Sequence, residues 1–156
     1  MDLESLTYEE LDDYIMGRLV FGSDEMVPIL SGHLLIERIL EALISRHLLY
    51  PDALFKRSRS FDLKLDIATA MGLIDEKHHS AFKALNRIRN NYSHVEGYSV
   101  SEEHLNGLKF NWGNIQNRAF DVALKKSAAE AAHISTIFLC WKALRLIKSP
   151  SEARAL

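Results

Sequence analysis

A single cysteine, three prolines and seven glycines are spread over 156 residues. One cysteine cannot form an intrachain disulfide, which excludes a disulfide-stapled scaffold. Cys140 lies in Ile137-Phe138-Leu139-Cys140-Trp141, where the expected role is a small buried hydrophobe. There is no low-complexity tract and no internal repeat. Excess positive charge is also missing: the net charge is −2, which excludes a generic polyanion binder. Any nucleic-acid contact must come from a local patch. The most apolar stretch, Ile134 to Ile147, is broken by Lys142 and Arg145, too short and too charged to span a bilayer. No glycine-rich phosphate loop precedes a helix, and no nucleophile elbow is present. No helix-turn-helix pair stands out. His78-His79 lacks a second ligand pair at zinc spacing, and His33, His47, His104 and His133 are scattered. Neither a metal nor a cofactor is called for.

What is present is a hydrophobic fraction of 47% with 26% charged residues, enough for a core and for solubility. The length fits one domain, taken as residues 1–149, with a frayed tail over 150–156. Met1-Asp2-Leu3-Glu4 is acidic and lacks the basic and apolar regions of a signal peptide, so a cytoplasmic protein is expected.

Helical signals run the length of the chain. Thr7-Tyr8-Glu9-Glu10 reads as a capping box opening a helix to about Leu19, broken by Phe21-Gly22-Ser23-Asp24. Pro28 falls near the start of a second helix reaching about His47, with Ile36, Ile39, Leu40 and Leu43 on its apolar face. Tyr50-Pro51-Asp52 reads as a turn, and Phe55 to Arg59 as a basic loop. Ser60 caps a helix to Met71 with Leu63, Ile67 and Met71 on one side, and Gly72 stops it. Asp75 caps the next, with a seam of Ala81, Leu85, Ile88, Tyr92 and Val95, ended by Gly97. Ser101-Glu102-Glu103 starts another, acidic in its first turn as the helix dipole prefers. Gly107 and Gly113 make that region less regular. A long helix from Ser127 to Ile147 carries Ile134, Ile137, Trp141 and Leu144. No run alternates as a strand. The expected fold is all-α, an antiparallel bundle of four to five principal helices.

Arg89-Asn90-Asn91-Tyr92-Ser93-His94 carries the chemistry. A guanidinium can clamp a phosphate with two parallel hydrogen bonds. An imidazole can give or take a proton near neutral pH. Together they are the parts needed to cut RNA without a metal. The competing structural reading makes Arg89 a salt bridge to Glu37 or Glu41, Asn90 a helix-end cap and Tyr92 a core residue. Lys56-Arg57-Ser58-Arg59 is ordinarily a solvated loop; folded beside Lys83, Arg87 and Arg89, it would give a phosphate-binding strip. Phe55 and Phe61 flank it, as base-stacking rings or as anchors of the loop to the core.

The pattern Arg-Asn-x-x-x-His resembles the signature of HEPN domains. Phe61 to Ile74, followed by Leu85-Asn86-Arg87-Ile88-Arg89-Asn90, resembles the mannitol operon repressor family, from about Leu34 to His94. The resemblance implies a helical bundle that dimerises. In active HEPN ribonucleases, Arg and His from two copies meet across the dimer and use the RNA 2′-hydroxyl without metal. By that resemblance Arg89 and His94 are catalytic; Asn90 would orient one of them, and from the basic strip Arg57, Arg59, Lys83 and Arg87 are the RNA-binding candidates. The implied partners are a second copy of the chain, RNA, and a cognate antitoxin or regulatory protein. The repressor-like relatives are regulators, which gives the alternative of a non-catalytic protein acting through protein contacts. HEPN toxins controlled by a nucleotidyltransferase usually carry tyrosine two residues after the His; here that position is Glu96, and Tyr98 comes two later.

Spacing constrains the site independently. Five residues on a regular helix are about 140° apart around the axis. Arg89 and His94 then face different ways, while Asn90 and His94 share a side. The helix must end at Ser93 so that His94 swings, or a second copy must supply the other half of the site.

Overall fold

The structure is a computed structural model that describes residues 6–15, 26–95 and 98–148. Among these there is no strand, and eight helices form: α1 (Tyr8–Ile15), α2 (Met26–Ser45), α3 (Pro51–Phe55), α4 (Phe61–Ala70), α5 (Glu76–His94), α6 (Glu102–Leu108), α7 (Asn114–Lys126) and α8 (Ala128–Ile147). Five of them have ten or more residues, so the all-α bundle is as expected.

Side chains close most helix starts. Thr7 and Glu10 exchange bonds across the first turn of α1: the Thr7 N–H donates to Glu10 Oε2 at 2.8 Å, and the Glu10 N–H to Thr7 Oγ1 at 3.3 Å. Ser60 accepts from the Leu63 N–H, and Asp75 from the His78 N–H. That last bond and the His78 ring hold the Asp75 carboxyl below its ordinary range. Gly72, at φ 70°, takes the left-handed conformation that ends α4 cheaply.

α2 and α8 form the centre. Ile36, Ile39, Leu40 and Leu43 are buried, and α8 buries residues on nearly all sides, with Cys140 fully enclosed. The Cys140 thiol points at the Gly32 carbonyl, 3.7 Å away, and burial pushes its pKa far up. α4 and α5 pack on α2, α6 on α5, and α7 on α8. One cluster of buried apolar residues draws on every helix except α3.

Several expectations are corrected. Pro51 does not sit in a plain turn; it opens α3, at the helix position where its missing N–H is harmless. The buried side of α4 is Phe61, Lys64, Leu65 and Ala68, whereas Leu63 is 41% and Met71 37% exposed. The lysine belongs inside because Glu37 and Glu41 receive its ammonium. Val95 is half-exposed: the buried side of α5 is Ala81, Phe82, Leu85, Asn86 and Ile88, and the seam is already only partly buried at Tyr92. α7 lies where no helix was expected; the Gly113 N–H is held by Gln116 Oε1, and Phe120 and Ala123 face inward. Leu19, the break at 21–24, Glu96, Gly97 and the tail lie outside the described residues.

Candidate functional site

α2, α4 and α5 meet around a pocket of about 250 Å³. α2 supplies His33 and Glu37, one turn apart and so on one side. The first turn of α4 supplies Phe61 and Asp62, behind the cap residue Ser60. α5 supplies Asn86, Arg89 and Asn90, and Arg59 comes from the segment before α4.

His33 is only 6% exposed and lies against the Phe61 ring, 4.2 Å between centroids. Its Nε2 is 2.8 Å from Asn86 Oδ1, and the Asn86 amide donates to Asp62 Oδ1 at 3.1 Å. An amide that donates to a carboxylate presents its oxygen to the imidazole. Nε2 therefore carries the hydrogen, and the Asn86–Asp62 chain fixes the tautomer. Nδ1 has no hydrogen bond among the described residues. Burial lowers the His33 pKa below its usual value and Arg89 adds to that; the Asn86 bond and the charges of Glu37 and Asp62 oppose it without reversing it.

Arg89 is half-buried, and its Nη1 donates to Asn90 Oδ1 at 2.9 Å. Among the described residues no carboxylate pairs with it. Glu37 and Glu41, its partners in the structural reading, instead hold Lys64 at 2.7 and 2.5 Å. Asn90 braces the guanidinium and does not cap the helix end. Arg59 is anchored through Nε to the Leu54 carbonyl at 2.9 Å, which leaves its terminal nitrogens unbonded among the described residues. Two guanidinium groups thus line one pocket with no ion-pair partner among the described residues, beside the first turn of α4; of the two carboxylates there, Glu37 is held by Lys64 and Asp62 accepts from Asn86. This is an arrangement suited to an oxyanion.

The remaining candidates lie elsewhere. α5 runs unbroken through His94, and the Val95 N–H still bonds the Asn91 carbonyl at 2.8 Å. His94 is exposed, about 140° around the axis from Arg89, so one chain does not bring the two together. Lys83 and Arg87 are exposed on the His94 side of α5, and Arg87 lines a separate pocket against α6 with Glu103 and His104. Arg57 is exposed and does not line the Arg89 pocket. The basic strip is therefore split, with Arg59 alone joining Arg89. Phe61 is buried and Phe55 packs on the core, so both anchor the loop. Tyr98 packs edge-on against Tyr92, 4.8 Å between centroids, and its hydroxyl meets His104 Nδ1.

Sequence reasoning missed His33, Asn86 and Asp62. The available signal was a polar residue in a core register: His33 continues the Ile29–Ile36–Leu40 seam, and Asn86 follows Phe82 by one turn. Among the described residues no three His, Cys, Asp or Glu side chains gather as a metal set. Compared with family models, curated proteins and solved structures, the chain has no match.

Proposed function

We propose that the protein is a HEPN-like, metal-independent endoribonuclease acting as a homodimer. The observation that carries the reading is Arg89: a half-buried guanidinium facing a pocket, with no carboxylate partner among the described residues. The carboxylates of the structural reading, Glu37 and Glu41, are engaged by Lys64 instead. Arg89 holds the scissile phosphate and stabilises the charge that grows on it in the transition state. Asn90 fixes the guanidinium. His94, exposed at the end of α5, is free to reach a phosphate held by a second copy and to protonate the leaving oxygen. Arg59 is the RNA contact that shares the pocket. Activity of this kind in a cytoplasmic setting calls for a neutralising protein partner.

The test is cleavage of single-stranded RNA in excess EDTA. The expected product carries a 2′,3′-cyclic phosphate, and DNA resists because it lacks the 2′-hydroxyl. His94→Ala is expected to lose roughly a hundredfold or more of the rate. Arg89→Lys is expected to fail as well, because an ammonium cannot make the two parallel bonds. Both variants are expected to stay folded. Equal trace cleavage by wild type and His94→Ala would mean contamination, and the non-catalytic regulator reading takes over.

A further inference from the structure

The ribonuclease reading requires a base for the 2′-hydroxyl as well as an acid for the leaving oxygen, and His94 fills one role only. The pocket that holds Arg89 contains an imidazole of its own. His33 lines it, with Nε2–H bound to Asn86 and Nδ1 without a hydrogen bond among the described residues. A base, an orienting amide and a carboxylate behind it form the arrangement in which a general base keeps one ring nitrogen ready.

We propose that His33 is the general base of this site and that Arg59 joins Arg89 as the second ligand of the phosphate. The proposal rests on the ribonuclease reading above. In the step, the O2′ oxygen forms a bond to phosphorus and its proton passes to His33 Nδ1. The bond from phosphorus to the 5′ oxygen breaks, and that oxygen takes a proton from the imidazolium of His94 in a second copy. Charge is conserved, and no metal or redox partner enters. Two arginines facing one pocket from two segments suit a phosphodiester, whose negative charge lies between two equivalent oxygens. The charged groups around His33 are Glu37 on its own helix, Asp62 on α4, Arg89 on α5 and Arg59 before α4. Burial keeps the ring neutral, as a base must be.

Two measurements test this. In the first, the imidazole of His33 is followed by NMR while inorganic phosphate is added to the full chain, so no RNA cleavage is needed. Phosphate is expected to move the His33 signals and raise its titration point. Arg59→Gln and Arg89→Gln should each abolish the effect. Unmoved signals in the wild type overturn the phosphate pocket, whatever the activity. In the second, the pH profile of RNA cleavage is recorded for wild type, His33→Gln and Asp62→Asn. His33→Gln keeps a donor for Asn86 but cannot take a proton. It is expected to lose about a hundredfold and the acidic limb of the profile, while uridine 3′-monophosphate binds as before. Asp62→Asn alters an exposed side chain and removes a charge that raises the His33 pKa, so the acidic limb should move to lower pH. That shift keeps the test alive if His33→Gln does not fold, since a merely structural histidine would not produce it. Cleavage with an unchanged limb in Asp62→Asn, or full activity in His33→Gln, overturns His33 as base and leaves the ribonuclease reading standing. An inert wild type whose His33 responds to phosphate overturns the base assignment with the ribonuclease reading and keeps the anion pocket.

Discussion

Lys64 and His33 are the two residues at which charge and burial collide. Lys64 is 4% exposed, and burial pulls its pKa down; hydrogen bonds and charge from Glu37 and Glu41 outweigh that and leave its pKa raised. Replacing it by methionine should leave two carboxylates facing each other under α4. The expected loss is about 1–3 kcal/mol in denaturant unfolding, less than the roughly 3–5 kcal/mol of a fully buried pair, because Glu41 is 41% exposed. His33 gives a pH signature. Its folded pKa lies below its ordinary value of 6.5. As pH falls through 6.5 the unfolded chain binds a proton that the folded chain refuses, so stability falls from there down to the folded pKa. The slope from one such group has a ceiling of about 1.4 kcal/mol per pH unit. His33→Gln should flatten this part of the stability profile in chemical denaturation. The lowered carboxyls of Glu10 and Asp75 act in a separate window, their stabilisation being lost only as pH falls through their own depressed values.

At the scale of elements, the α5–α6 contact is set by a glycine. A Cβ on Gly107 would stand 2.8 Å from the Ala84 Cβ, closer than two carbons approach. On an isolated helix, Gly→Ala would stabilise by about 1 kcal/mol through propensity. Here Gly107→Ala should destabilise instead, because neither methyl is the end of a flexible chain. Combining it with Ala84→Gly should recover part of the loss, and a double-mutant cycle by thermal unfolding measures the coupling. The same helix, α5, holds the functional geometry. Its regular turns bring Asn86, Arg89 and Asn90 to the pocket, whereas Lys83, Arg87 and His94 do not line it.

For the whole molecule, the unbroken α5 makes dimerisation a condition of the proposed chemistry. A symmetric homodimer is expected, with each His94 near the Arg89 pocket of its neighbour. Light scattering at micromolar concentration checks it, and a strictly monomeric protein that still cut RNA through His94 would refute the composite site. Complementation sharpens the same point. Mixing Arg89→Lys with His94→Ala should restore one intact site per mixed dimer, and hence a fraction of the activity that neither variant shows alone.

Local chemistry that repeats along one segment was legible in the sequence. The capping box at Thr7 and Glu10, the caps at Ser60 and Asp75, and the apolar face of α2 all follow from side-chain type and helical period. The all-α class was legible in the same way, and Arg89 and Asn90, singled out together in the sequence, line one pocket. The α4 face was misread because Leu63, Ile67 and Met71 are apolar at helical spacing, while the buried row includes a lysine. Only the tertiary structure decides that a lysine may go inside, since its two carboxylates come from a helix about 25 residues away. The same holds for the pocket. His33, Asp62 and Asn86 are separated by 29 and 24 positions, and no local period links them. Their hydrogen bonds exist only because α2, α4 and α5 pack together, and packing sums contacts that no window of sequence contains.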